Sequence, residues 1–177
     1  MTPRLLIIGG GLAGTSLAWR LHERGVPFMM VDRDEPQTSS KVAAGLITPI
    51  TGMRLVLNWR IATLYPEAAT FYQQLEQALG RRFYHETAIV SLLLDDKAVE
   101  QWQKRQLQPE VQPYLNEAAS LPLVDESIFT NPYGGFEQRG AWLDTAAFLA
   151  ASQRYFESTG RWQQAEFPFS ESSGPIQ

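Results

Sequence analysis

The sequence predicts an α/β protein that opens on a parallel βαβ unit and continues into a mixed α+β segment. Three observations predict it. Leu5–Ile8 is a short unbroken apolar run, Gly9–Gly14 is a glycine-rich turn leading into helical spacing, and Phe28–Val31 is a second apolar run ending on Asp32. Short continuous apolar runs suit strands buried on both faces of a parallel sheet. Between them Leu17, Ala18 and Leu21 recur at helical spacing, and Gly25 stands where a left-handed residue stops a helix.

The turn reads Gly9-x-Gly11-x-x-Gly14, and each glycine has a physical reason. Gly9 permits a tight exit from the strand, Gly11 lets a diphosphate approach the backbone, and Gly14 lets the helix lie close to the sheet. The N–H groups near Leu12 and Ala13 are unpaired at the helix start, where the helix dipole adds positive character. A carboxylate at the end of the next strand, Asp32, can accept from ribose hydroxyls. Strand, glycines, helix, strand and acid in that order predict a Rossmann-like unit binding FAD or NAD(P).

Composition narrows the partners. The 177 residues carry 15 basic and 19 acidic side chains, a formal charge of −4, so no basic excess favours a nucleic-acid scaffold. There is no cysteine and only His22 and His85, which excludes disulfides, thiolate metal sites and multi-histidine metal sites. The apolar start is broken by Gly9–Gly11 and followed by Arg20, His22, Glu23 and Arg24, unlike a signal peptide. No segment reaches the roughly 18 apolar residues of a membrane span. A soluble, cytoplasmic protein is expected.

Gln37–Pro49 is a small, hydroxyl-rich loop bounded by Pro36 and Pro49. Small residues let backbone lie against a flat ring, and Ser39 and Ser40 can donate to phosphate or ribityl oxygens. With Leu6–Gly14, the strand ending at Asp32, Ser39–Pro49 and Gly134–Asp144, the chain resembles the FAD-dependent D-amino-acid oxidase superfamily, which includes glycine and sarcosine oxidases. The resemblance implies FAD as cofactor and a small amine or amino acid as substrate. It implies that Leu12 and Ala13 face the diphosphate, Asp32 the adenosine ribose, and Ser39, Ser40, Ala44, Gly45 and Leu46 the flavin side. Asp32 stands where the family commonly has glutamate. Arg33 could accept a 2′-phosphate and keeps NADP as an alternative.

The remaining pattern is looser. A helix is expected over Pro66–Leu79 with Pro66 in its first turn, and strand material over Phe83–Leu94. Asp96 is expected to cap a helix through Arg105, and prolines 109, 113, 122 and 132 mark an irregular connection. Phe136 begins a strand, Asp144 caps a helix to about Thr159, and Trp162–Phe169 is one more strand. Residues 1–50 are thus read as the start of the FAD-binding domain, 51–170 as a substrate-domain segment, and 171–177 as a frayed tail. The family's chain path implies an amino-terminal part of a protein roughly twice as long.

No catalytic side chain is assigned and no metal site is expected. Arg54 is the favoured basic residue near substrate. His22 reads as a solvated helix residue, His85 as a strand-edge residue, and Arg81 and Arg82 as complements to a helix end. Asp95 and Asp96 read as a turn and cap, while Tyr133, Phe136 and Trp142 read as aromatic core. The implied reaction is oxidation of a C–N bond by hydride transfer to the flavin N5. A binding module without turnover, and the amine-oxidising domain of a tRNA-wobble-uridine modifying enzyme, are the alternatives.

Overall fold

The structure, a computed structural model, describes residues 5–115 and 132–167. In chain order its elements are β1 (Leu5–Ile8), α1 (Leu12–Glu23), β2 (Phe28–Asp32), α2 (Ser39–Val42), β3 (Leu46–Ile47), β4 (Ile50–Thr51) and β5 (Val56–Leu57). Then follow α3 (Ile61–Leu79), β6 (Tyr84–Leu92), α4 (Asp96–Arg105), β7 (Gly135–Leu143), α5 (Thr145–Ser158) and β8 (Trp162–Gln164). They form two compact units. Met1–Ala44, Ala78–Phe83 and Asp144–Gln177 make the first; Gly45–Gln77 and Tyr84–Leu143 make the second.

The first unit is built on a parallel sheet of order β1-β2-β8. Leu5 lies opposite Phe28 and Ile8 opposite Val31, while Met30 and Asp32 face Trp162 and Gln164. Its core joins α1 to α5: the buried Trp19 donates its indole N–H to Ser152 at 2.9 Å, and its ring lies 4.8 Å from Phe156. Phe156 in turn packs edge-on to Phe28 on β2. Asp144 caps α5 as expected, accepting the Ala147 N–H at 2.9 Å.

This division differs from the 1–50 and 51–170 segments expected from the sequence, because α5 and β8 lie with the opening strands. The physical reason is the β2–β8 pairing, which a three-residue strand with two glutamines barely announces. Burial of β1 also departs from expectation. Ile7 is buried, yet Leu5, Leu6 and Ile8 stay 46%, 48% and 44% exposed. Among the described residues β1 is the outermost strand, so it has a neighbour on one side only.

The second unit holds an antiparallel sheet of order β3-β7-β6, with β6 and β7 paired from Tyr84–Leu143 to Leu92–Gly135. Gly45 enters it at φ 70°, and a Cβ there would stand 1.9 Å from the Leu143 carbonyl oxygen, so only glycine fits this approach. Ile50, Leu93, Trp102, Val111 and Phe136 form one core cluster, with Trp102 and Phe136 stacked at 3.7 Å. The fully buried Gln138 ties the β4–β5 hairpin to this sheet. Its side-chain amide accepts the Ile50 N–H at 2.8 Å and donates to the Ile50 carbonyl at 3.0 Å.

Three local expectations are corrected. Helix α3 begins at Ile61, so Pro66 lies inside it rather than in its first turn; Arg60, at φ 53°, turns the chain into it. Asp95, not Asp96, caps α4 by accepting the Ala98 N–H at 2.7 Å. The 37–49 loop contains α2, capped by Thr38, and strand β3. The expected tail at 171–177 and Pro122 fall outside the described residues, while Pro113 lies in a short 3₁₀ turn.

Candidate functional site

The glycine turn leaves β1 and starts α1 at the carboxyl end of the parallel sheet. Gly9 takes φ 102°, and a Cβ on Gly14 would lie 2.0 Å from the Gly9 carbonyl oxygen, so α1 can approach the turn only because Gly14 is bare. A Cβ on Gly10 would meet the Trp162 ring at 2.1 Å. Trp162 thus braces the turn from below, with its indole N–H buried and unpartnered. Gly11 is the N-cap of α1 with no side chain to close the helix start.

Asp32 points into this turn. Its Oδ2 accepts the Gly10 N–H at 2.6 Å and its Oδ1 accepts the Asp34 N–H at 2.6 Å. Each carboxylate oxygen therefore keeps a free lone pair for a further donor. Ser40 approaches from α2, where its Oγ accepts the Leu12 N–H at 3.1 Å. Lys41 next to it donates to Asp34 Oδ1 at 2.8 Å and to the Glu35 carbonyl at 2.7 Å. Lys41, and after it Gln153, hold the Asp34 carboxyl below its ordinary range.

A cleft of about 430 Å³ opens at the ends of the three strands, lined by Ile8, Gly9, Val31, Asp32, Arg33 and Ala165–Phe167. A crevice beyond the carboxyl ends of parallel strands is the usual ligand position in such sheets. Arg33 reaches Glu35 at 3.3 Å and Glu166 at 3.6 Å. Ala165 donates its N–H to the Asp32 carbonyl at 2.9 Å, which fixes the cleft wall. Residues 165–167 were not among the expected site residues. Their only signal is the weak strand pattern expected over 162–169, of which 162–164 form β8, and its parallel pairing to β2 is a tertiary event.

The fold therefore brings Gly9, Gly11, Leu12, Ala13, Gly14, Asp32, Arg33, Ser39 and Ser40 to one end of the first unit. Ala44 is exposed at the end of that unit's 39–44 segment, Gly45 begins the second unit, and Leu46 lies on β3. Arg54 lies in the second unit, in the exposed β4–β5 turn. There it lines an apolar cleft of about 510 Å³ with Met53, Leu55, Leu92–Leu94 and Ala98.

His22 is not the solvated residue expected. Its ring sits edge-on to Trp19 and Tyr155, Tyr155 Oη is 2.9 Å from Nε2, and Arg161 Nη1 is 2.6 Å from Nδ1. Burial, and then the Arg161 charge, lower its pKa. His85 lies on the outermost strand β6, stacked on Trp142 at 5.0 Å. Phe136 is core, whereas Trp142 is 40% exposed and Tyr133 also faces outward. Among the described residues no cluster could hold a metal ion, and no helix is long and apolar enough to cross a membrane.

Over 72 residues the chain is 39% identical to the bifunctional protein ThiO/ThiG of Trichormus variabilis, covering 38% of this chain and 11% of that protein. Over 149 residues it is 29% identical to the bifunctional protein MnmC of tRNA 5-methylaminomethyl-2-thiouridine biosynthesis from Marinobacter nauticus, covering 84% and 23%. The chain thus spans less than a quarter of either relative. It shares its fold with the L-amino acid deaminase of Proteus myxofaciens at a TM-score of 0.63 and 18% identity, covering 90% of this chain and 37% of that one. The family model for FAD-dependent oxidoreductases of the DAO type matches residues 4–161, and the chain belongs to that family.

Proposed function

We propose that the protein binds FAD with the ADP half in the cleft of the first unit and oxidises the C–N bond of a small amino acid or secondary amine. The observation that carries this reading is Asp32, whose carboxylate is fixed at the strand ends beside the glycine turn with acceptor capacity to spare. The residues suit the group. Gly9, Gly11 and Gly14 keep side chains away, the Leu12 and Ala13 N–H groups serve the diphosphate, and Asp32 serves the ribose hydroxyls. Ser39, Ser40, Ala44, Gly45 and Leu46 serve the flavin side, the Ser40 hydroxyl beside the Leu12 N–H also serving the diphosphate, and Arg54 serves the substrate carboxylate.

Arg33 argues against a 2′-phosphorylated dinucleotide. Its charge is already shared between Glu35 and Glu166, and Asp32 and Glu166 both line the cleft where an extra phosphate would have to sit. A phosphate monoester would meet two carboxylates there, which is repulsive. FAD, with its free ribose, avoids that conflict.

When bound, FAD supplies at N5 the acceptor for the hydride leaving the carbon that bears the nitrogen. The chain's own part is to bind and orient: backbone N–H groups hold charge, Asp32 fixes rotation about the ribose, and small residues admit the ring. The cytoplasm is the compartment we assign to this chemistry. A second reading is supported by the relative that matches 84% of the chain, whose name specifies a methylaminomethyl group on a tRNA thiouridine. That group contains a C–N bond of the same class.

The test is the visible spectrum of the purified protein, followed by anaerobic addition of substrates. Flavin bands that bleach with glycine, sarcosine, proline or a D-amino acid support the first reading. Bleaching only by tRNA carrying a methylaminomethyl uridine supports the second. A flavin-loaded protein bleached by none of them is a binding module, and a colourless protein that takes up no added FAD refutes the cofactor assignment.

A further inference from the structure

The bonds around the glycine turn close into a ring. It runs from the Gly10 N–H to Asp32 Oδ2, from Asp32 Oδ1 to the Asp34 N–H, and from Asp34 Oδ1 to Lys41 Nζ. The peptide link from Lys41 leads to Ser40, and the Ser40 Oγ returns to the Leu12 N–H, two residues from the start. Both polar groups proposed to meet the ADP half, the Asp32 carboxylate and the Ser40 hydroxyl, are members of this ring.

We infer that the Lys41–Asp34 pair is a clasp that sets the spacing between Asp32 and Ser40, and so positions both for the ribose and diphosphate of FAD. The inference rests on the proposed FAD reading of this cleft. Neither clasp residue was among the expected site residues.

Four observations support a clasp over an incidental ion pair. First, Asp34 adopts φ 58°, a conformation unusual for a residue with a side chain though tolerated by aspartate. That conformation accompanies both of its tasks, with the N–H on Asp32 and the carboxylate on Lys41. Second, the pair is partly shielded, at 26% and 30% side-chain exposure, whereas Arg33 and Glu35 beside it are 57% and 50% exposed. Shielded pairs keep more of their Coulomb energy than exposed ones.

Third, the clasp is braced at both ends. Gln153 on α5 donates to Asp34 Oδ2 at 3.2 Å, and Lys41 spends a second N–H on the Glu35 carbonyl. Fourth, α2 has four residues, too few to hold its own position by helical hydrogen bonding. It packs against α5, and at the turn it is gripped by Ser40 on Leu12 and Lys41 on Asp34.

The Ser40 grip is the one a diphosphate would change. A hydroxyl both accepts and donates, so once the Leu12 N–H turns to a phosphate oxygen, Ser40 can donate to the phosphate instead. During that exchange Lys41 keeps α2 in register with the turn. The site is thereby preorganised, and less ordering remains to oppose binding.

The experiment measures dissociation constants for FAD and for ADP with the protein freed of flavin, comparing wild type, Lys41→Met, Asp34→Asn, the double variant and Lys41→Arg. Asp34→Asn keeps both size and tolerance of a left-handed backbone. Each single variant is expected to weaken FAD and ADP alike by about tenfold, which is about 1.4 kcal/mol. The double variant is expected to be no weaker than either single, because one broken link opens the ring. Lys41→Arg restores the pair and should bind within about threefold of wild type, a rescue that a general loss of stability would not give.

Single variants that bind both ligands as wild type does would overturn the clasp and leave the FAD reading intact. So would effects that multiply in the double variant. A wild-type protein that takes neither FAD nor ADP would overturn the reading itself, and the clasp with it. Should Lys41→Met fail to fold, Lys41→Gln supports the same comparison.

Discussion

Asp32 Oδ2 accepts the Gly10 N–H at 2.6 Å across 22 positions of the chain, joining the end of β2 to the turn that leaves β1. The bond aims the carboxylate at the cleft before any ligand arrives. Asp32→Ala removes the acceptor of two backbone N–H groups together with the proposed ribose contact. Hydrogen bonds to charged groups contribute about 1.5–3 kcal/mol, so FAD affinity should fall at least tenfold, with turnover of molecules that remain loaded little changed. Titration of the flavin-free protein with FAD checks this; unchanged affinity would remove Asp32 from the site.

Gly14→Ala tests the helix approach. The new Cβ would lie 2.0 Å from the Gly9 carbonyl oxygen, a backbone atom that cannot swing aside. Forcing the turn and α1 apart should cost about 1–3 kcal/mol, typical of overpacking. A lower melting temperature and a smaller fraction of protein isolated with FAD are expected together. Thermal unfolding and the ratio of flavin to protein absorbance measure the two.

Gln138→Leu keeps side-chain bulk but deprives the Ile50 N–H and carbonyl of their partner. A buried group left unsatisfied costs about 1–3 kcal/mol. The urea midpoint should fall while the dependence on denaturant keeps its slope, since the surface exposed on unfolding is nearly unchanged. A midpoint equal to wild type would show that the hairpin is held by its apolar contacts alone.

His22 should make stability depend on pH. Arg161 donates to Nδ1, so the neutral ring carries its proton on Nε2 toward Tyr155. Burial and Arg161 lower the folded pKa below the ordinary 6.5, so the unfolded chain binds the proton more readily. The contribution is complete above pH 6.5 and is lost as pH falls from there through the lowered folded value. Denaturation between pH 5 and about 8 should show stability rising with pH and levelling off above about 6.5, and His22→Gln should flatten that rise.

Periodicity carried far because the opening unit is local. Leu5–Ile8, the glycine spacing and Asp32 lie within one helix and two strands, so steric and apolar pattern over some thirty positions suffices to place them. Caps were legible for the same reason: Asp144 bonds a backbone group three residues away. Where two aspartates adjoin, pattern alone did not choose between Asp95 and Asp96, since either could reach a free N–H. Apolarity overstates the burial of β1 because it records what a strand can bury, not how many neighbours it receives.

The amino-acid order by itself determined the βαβ start, its dinucleotide-binding character and the acid that faces the turn, because those depend on contacts close along the chain. Only the tertiary structure decided that β8 joins β2, that residues 165–167 wall the cleft, and that Lys41 and Asp34 link Ser40 to Asp32. Such pairings are set by which surfaces meet after the chain folds back, and no spacing along one strand or helix encodes that meeting.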